Sequence, residues 1–597
     1  MSEIPAKQGK SARKGKSALK DWVRALEATA PIAKHPAVTL SSLIDDLAGQ
    51  FGDAPALLSD AQRLSYRELA ERANQYARWA MAHSIRAGDV VCLLMPDCPE
   101  YLAVWLGITR AGGVVALLNT NLSGEVLAHA IGVAKPVGII SGTAFAGAIA
   151  AIDMRPAVPK CWVLGGAAAG FPDLDLRSYA GHRIDPAECR PPLLGDRALC
   201  IYTSGTTGLP KAANVSHYRI MQWCYWFAGI MDTGPADRMY NCLPLQHSVG
   251  GIVAVGALLV RGGSVVLPGR FSASRFWDDI VRWDCTLFQY IGELCRYLVN
   301  SKPHPSEAAH RIRLCAGNGL AGDVWRPFQE RFKLPRILEF YAATEGSFSL
   351  YNVEGEPGAI GRIPSFLTHR FPVALVRFDV EAGEPVRADD GLCIRCAPDE
   401  TGEALGKLGD SAGRFEGYTD AQASERKLLR DVFAAGDAWF RTGDLMRRDE
   451  RGFFYFMDRI GDTFRWKGEN VSTTEVAAVI ATCPGVCEAV VYGVKIPGAD
   501  GRAGMAAILA DASLDVAQFR QYLTARLPDY ARPLFLRIRT EIETTATFKP
   551  KKQELMAQAY DPVLVSEPLF FDDRQRGTLV PLDAALHASI VAGTVRF

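Results

Sequence analysis

The chain has 597 residues, 48% hydrophobic and 22% charged, a globular composition with length for several cores, which excludes an intrinsically disordered protein and requires more than one domain. Lysine plus arginine and aspartate plus glutamate each number 66, so no global charge draws the chain to nucleic acid and any bound anion must be met locally. Fourteen scattered cysteines without a framework, and no signal-peptide pattern, point to a reducing cytoplasm.

The first two dozen residues carry Lys7, Lys10, Arg13, Lys14, Lys16, Lys20 and Arg24 against Glu3 and Asp21. This reads as a solvated, disordered tail over 1–35, with peripheral attachment to the anionic inner face of a membrane as the other reading. From about 40 to 440, strand-like runs alternate with helical patterns: 90–95, a helix over 100–110, then 114–118. Such alternation predicts an α/β fold with parallel sheets covered by helices, and no repeat suggests a solenoid. The apolar run 137–152 and the later 249–260 both fall short of the ~20 residues of a spanning helix.

The apolar run 198–202 leads into TSGTTGLPK at 203–211, after which Ser216 is placed to cap a helix over 217–231. Thr203, Ser204, Gly205, Thr206, Thr207 and Gly208 gather hydroxyls and unencumbered backbone N–H groups in one turn, a nest for phosphate oxygens, and Lys211 adds a full positive charge. Leu209 and Pro210 separate Gly208 from Lys211, so this is not the phosphate loop of ordinary NTPases. Gln246-His-Ser-Val-Gly250 approaches a hydrolase nucleophile elbow but has glutamine where the first glycine is required, which argues against a hydrolase. Cys393-Ile-Arg-Cys396 has the spacing of a metal or redox pair, yet it lies in an alternating run with no second pair at zinc spacing, so a strand is expected.

Near 440 the texture changes. Runs at 445–448 and 453–457 flank the polar turn 449–452 as a hairpin, and Asp458-Arg-Ile-Gly-Asp462 follows as a short polar hinge centred on glycine. Ser472-Thr-Thr-Glu475 reads as a capping box, followed by strands at 486–494 and 503–509, a helix over 516–527 and a strand at 534–539. The expected organisation is a large amino-terminal domain over 36–457, a hinge at 458–462, and a small mobile α/β domain over 463–597.

Taken together, TSGTTGLPK, Tyr341-Ala-Ala-Thr344-Glu345-Gly346, Phe440-Arg-Thr-Gly-Asp444-Leu445, Asp458-Arg459 with Trp466-Lys467-Gly468, and Thr547-Phe-Lys549-Pro-Lys-Lys552 resemble, in order, the motifs of the adenylate-forming superfamily. That superfamily includes acyl-CoA synthetases, luciferases and peptide-synthetase adenylation domains. Cys315-Ala-Gly-Asn318-Gly319-Leu320, the run from Phe464 to Glu475, and a tail of 48 residues beyond Lys549 resemble the fatty acid transport proteins, or very-long-chain acyl-CoA synthetases. Ala342, Ser347 and Gln246 depart from the usual pattern, which bears on pocket shape more than chemistry.

The resemblance implies a long-chain or very-long-chain fatty acid as substrate, with ATP, Mg²⁺ and coenzyme A, and two half-reactions through an acyl-adenylate. Lys211 and the loop hydroxyls would hold the pyrophosphate end, Glu345 the Mg²⁺, and Thr344 the α-phosphate. Asp444 and Arg459 would meet the ribose, Asn318, Gly319 and Tyr341 would contact the nucleotide, and Lys549 would bring its ammonium to the reacting oxygens. His247 would position the carboxylate, while Trp466, Lys467 and Gly468 would border the pantetheine channel. The run 248–259 reads either as an acyl-tunnel wall or as a buried core helix. A ring-bearing bile or sterol acid as substrate, fatty acid uptake without catalysis, and transfer to a carrier protein in trans are the alternatives.

Overall fold

The computed structural model describes residues 8–152, 154, 159–204, 209–346, 348–409, 415–499, 501–544 and 551–595, excepting the side chains of 8–17 and 204. The chain divides into two compact units, Met1–Gly361 with Arg414–Arg426, and Arg362–Gly413 with Lys427–Phe597.

The first unit is built on two sheets. One has the order Lys160–Leu164, Gly138–Gly142, Val90–Leu94, Val114–Leu117, Arg197–Ser204, Pro210–Ser216, parallel except for the last strand. Val90–Leu94 and Val114–Leu117 are buried throughout, as expected of apolar runs covered on both faces, and the helix Pro99–Arg110 between them is wholly buried. The other sheet runs Ser349–Asn352, Ile337–Ala342, Leu314–Asn318, Leu287–Ile291, Arg238–Asn241, Ser264–Val266, Pro55–Leu58, Arg63–Ser65, with antiparallel strands only at its two edges.

The amino-terminal segment differs from the expected tail. Gln8–Thr29 is a helix, and Ala18, Trp22, Ala25 and Thr29 form a buried stripe at helical spacing. Trp22 packs edge-on against Trp226 at 5.8 Å and Tyr351 at 5.7 Å, and the Arg24 Nε donates to the Gly229 carbonyl at 2.6 Å. A Cβ on Gly229 would lie 2.5 Å from the Ala25 Cα, so glycine is what lets the two helices close. Charge dominates the composition of this segment, and one apolar stripe is enough to seat it.

The second unit contains a second departure. Val373–Val376, Thr401–Lys407, Ala438–Arg448 and Phe453–Arg459 pair antiparallel, not parallel. The expected hairpin is present, turning at Gly452 with φ of 85°. Cys393 and Cys396 lie in extended chain bridged to strands on either side, with Cys393 in the core beside Leu405 and Trp439.

Beyond 462 a five-stranded sheet runs Val486–Val494, Ala503–Ala510, Phe535–Arg539, Leu569–Asp573, Thr578–Pro581, with its own core from Phe464 to Ile590. Ser472 caps the helix Thr473–Ala481 through the Glu475 N–H. The last two strands come from the tail, and Tyr560 stacks on Phe535 at 4.1 Å. Among the described residues no helix is long and apolar enough to cross a membrane.

Candidate active site

In the first unit the candidate residues gather at the carboxyl ends of parallel strands, where open α/β sheets present ligand crevices. Thr203 closes the strand Arg197–Ser204, Asn318 closes Leu314–Asn318, and Tyr341 sits near the end of Ile337–Ala342. Thr203 pairs with Lys211 across the antiparallel register, so the hairpin returns the lysine beside the start of the donor-rich turn. Gly205, Thr206, Thr207 and Gly208 lie outside the described residues, as do the Ser204 side chain and Ser347.

The strand from 314 ends in a tight turn at Gly319, φ 80°, and a Cβ on Gly292 would meet the Gly319 carbonyl at 1.7 Å. Beneath this turn Glu339 is fully enclosed, accepting from the Tyr290 hydroxyl at 2.5 Å and the Leu320 N–H at 3.1 Å. Burial pushes its carboxyl up to about 8, so at neutral pH the group is protonated. The Asn318 Oδ1 is buried with no hydrogen-bond partner among the described residues, an acceptor suited to an exocyclic amine.

Thr344 and Glu345 are braced from three sides. The Arg219 guanidinium donates to the Thr344 carbonyl at 2.7 Å, the Ser248 and Thr344 hydroxyls are 3.2 Å apart, and the Tyr418 hydroxyl donates to the Glu345 Oε1 at 2.7 Å. Arg219 is itself buried in the helix His217–Met231, and burial lowers its affinity for the proton, opposed by Glu416 at 3.8 Å and by Glu345. Glu416 in turn accepts from the Ser216 N–H at 2.7 Å and the Ser216 hydroxyl at 2.6 Å, the same hydroxyl that caps that helix.

Arg219, Glu416, Tyr418 and Ser248 were not expected from sequence. One signal was available: a charged residue in an otherwise apolar, buried helix needs a partner.

His247 is half-buried next to Ser248, which places its backbone beside Thr344. The glycines that follow close up rather than open a tunnel. A Cβ on Gly250 would sit 2.5 Å from the Pro244 carbonyl oxygen, on Gly251 2.0 Å from that of Leu245, and on Gly256 2.1 Å from the Cys224 Sγ. Val249–Ala254 is a π-helical turn leading into Val255–Leu259, so of the two readings the buried helix is the one observed. Asp97 fixes the preceding segment by accepting from the Leu245 N–H at 2.9 Å, and burial pushes its carboxyl up to about 6.

In the second unit, Asp444 and Arg459 face each other across the hairpin, with Arg459 Nε 3.9 Å from Asp444 Oδ1. Asp458 is a buried hub that accepts from the Thr473 N–H at 2.6 Å and the Arg459 N–H at 2.9 Å. Burial raises its carboxyl, with Lys552 opposing. Lys552 Nζ reaches Asp462 at 3.1 Å and the Thr473 hydroxyl at 2.9 Å, pinning the chain just after Lys549, which lies outside the described residues.

The Trp466 side chain is buried in the small-domain core. Lys467 and Gly468, φ 53° and 83°, form the two-residue turn of the hairpin between Phe464–Trp466 and Glu469–Val471. Nothing lies within 4 Å of a Cβ on Gly468, so its glycine serves the turn rather than close packing.

Residues 44–403 match the model of the AMP-binding enzyme family, and 475–549 match the AMP-binding enzyme C-terminal domain. The chain is 41% identical over 548 residues to the long-chain fatty acid transport protein 1 of Mus musculus, covering 89% of this chain and 83% of that one. It is 38% identical over 539 residues to the medium/long-chain-fatty-acid–CoA ligase FadD6 of Mycobacterium tuberculosis, covering 89% and 87%. In fold it resembles the anthranilate CoA ligase AuaEII, solved with anthranoyl-AMP, at TM-score 0.73 and 20% identity over 87% of this chain and 97% of that one.

Proposed function

The chain belongs to the AMP-binding enzyme family, and on that premise we propose how it works as an AMP-forming fatty acyl-CoA synthetase acting on long or very long chains. A carboxylate oxygen attacks the α-phosphorus of ATP and pyrophosphate leaves; the coenzyme A thiol then attacks the acyl carbon and AMP leaves. The first step brings two anions together, so the protein must neutralise charge and align the attacking oxygen with the leaving group.

The observation that carries the reading is the bracing of Thr344 and Glu345 by Arg219, Ser248 and Tyr418 in the first unit. Lys211 and the 203–208 donors would hold the pyrophosphate end, and Thr344 would contact the α-phosphate. Glu345, a carboxylate among hydroxyls, fits the hard Mg²⁺ that accompanies ATP and neutralises phosphate charge.

The unpartnered Asn318 Oδ1 would accept from the adenine amine, Tyr341 would flank the base, and His247 would orient the carboxylate. Asp444 would accept from the ribose hydroxyls with Arg459 beside it, and Lys549 would stabilise charge at the α-phosphate. The 458–462 segment would be the hinge that exchanges Lys549 for the thiol, with Lys467 and Gly468 along the pantetheine path.

Incubation with ATP, Mg²⁺, coenzyme A and carboxylic acids of graded length, recording pyrophosphate and thioester together, tests this. Equimolar release of both, strongest with long-chain acids, is expected. Thioester formation confined to short or ring-bearing acids would overturn the substrate class, and absence of acid-dependent pyrophosphate would overturn the reaction.

A further inference from the structure

Tyr418 belongs to a segment, Arg414–Arg426, that groups with the first unit although the sequence on both sides of it belongs to the second. Within the first unit this segment lies along the strand Pro210–Ser216. The Asn214 N–H donates to the Gly417 carbonyl at 2.9 Å, the Thr419 N–H to the Ala212 carbonyl at 2.9 Å, and Ala213 and Tyr418 form an antiparallel bridge. Gly417 adopts φ of 66°, which a side chain disfavours, and the Ser424 hydroxyl accepts from the Tyr418 N–H at 2.8 Å. Tyr418 packs with Ala213 and Ala423 in a small core of its own. The backbone of the segment is therefore determined without the phenol.

The phenol hydroxyl has a different task. It donates to the Glu345 Oε1 at 2.7 Å, and the Thr203 side chain lies near enough to favour the charged form of the phenol, against the burial that raises it. Its bond thus fixes the acid near the first residue of the donor-rich turn, 142 positions away in sequence.

We propose that Tyr418 is a positioning residue for adenylation: its hydroxyl holds Glu345 in a fixed place beside Thr203, so that the acid meets the ATP bound at that strand end. The proposal rests on the roles given above to Glu345 and the 203–208 turn. A hydrogen bond to a charged group contributes enough that its loss reads as about a tenfold change. The effect falls on the first half-reaction alone, because the second half involves neither pyrophosphate nor its loop.

Tyr418→Phe removes one oxygen and leaves the bridged backbone and the small core in place. Three quantities decide the outcome: acid-dependent exchange of pyrophosphate into ATP, thioester formation from preformed acyl-adenylate and coenzyme A, and MgATP affinity by calorimetry without acid. Expected are an about tenfold lower kcat for exchange, a similarly weaker MgATP affinity, and unchanged KM for the acid and rate of the second half.

Unchanged exchange and affinity would overturn the proposal. Equal losses in both halves, with a lowered unfolding midpoint of the ligand-free protein, would also overturn it by making the role structural. Should the wild-type protein give no exchange with any acid, the functional reading falls while the calorimetric comparison still decides the role of Tyr418.

Discussion

Two carboxylates are assigned to the same nucleotide, and the fold holds them by opposite means. Glu345 in the first unit is 7% exposed and bonded by Tyr418, with the neighbouring Thr344 carbonyl held by a buried arginine. Asp444 in the second unit stands on an antiparallel hairpin with Arg459 3.9 Å away, a guanidinium 47% exposed. The first arrangement fits charge that develops on phosphates and must be met without reorganisation. The second sets an acid 16% exposed beside a half-exposed arginine, which fits a contact that is made and released in each turnover.

The largest expected effect tests the rigid side. Arg219→Leu leaves Glu416, a side chain 12% exposed, without its cation, and urea unfolding of the first unit should show a loss of about 3 kcal/mol. A loss of less than about 1 kcal/mol would mean that the network does not brace the site.

Next, Lys549→Ala should lower adenylation by roughly 10²–10³ while preformed acyl-adenylate still yields thioester, measured as separate half-reactions. Equal loss of both steps would remove the assigned role.

Asp97→Asn sharpens the comparison from within the first unit. Folding raises the Asp97 carboxyl to about 6, above the ~3.9 of an unfolded aspartate, so between these values the folded chain binds more protons. Its contribution is full below about pH 4 and lost as pH rises through about 6. The variant should flatten that slope and stabilise the protein near pH 8 by up to about 3 kcal/mol, read from unfolding midpoints across pH.

Smallest, Asp444→Asn should raise KM for ATP about tenfold, read from initial rates at varied ATP, and an unchanged KM would remove its ribose role.

Much of this organisation was legible in sequence because local signals agreed with the fold. Ser216 and Ser472 cap the helices expected of them, and the apolar runs from 90 and 114 became buried parallel strands. The bracing residues were not legible, since the partners Arg219 and Glu416, or Tyr418 and Glu345, are tied by tertiary contacts that no local spacing reports. The core place of the Trp466 ring was not legible for a similar reason: a motif names an aromatic, but packing decides what its ring meets. The segment 1–35 misled through composition, its basic residues concealing the stripe of Ala18, Trp22 and Ala25.

The two strands supplied by the tail carry a further consequence. Leu569–Asp573 occupies the flank of Phe535–Arg539, and Thr578–Pro581 occupies the next. A chain cut within 551–568 would bare a row of unsatisfied amides along 535–539, beside the aromatic face of Phe535, and a naked sheet margin recruits strands from other copies. The tail thereby acts as a built-in guard against self-association, and shortened versions of this protein are expected to precipitate before they lose their chemistry.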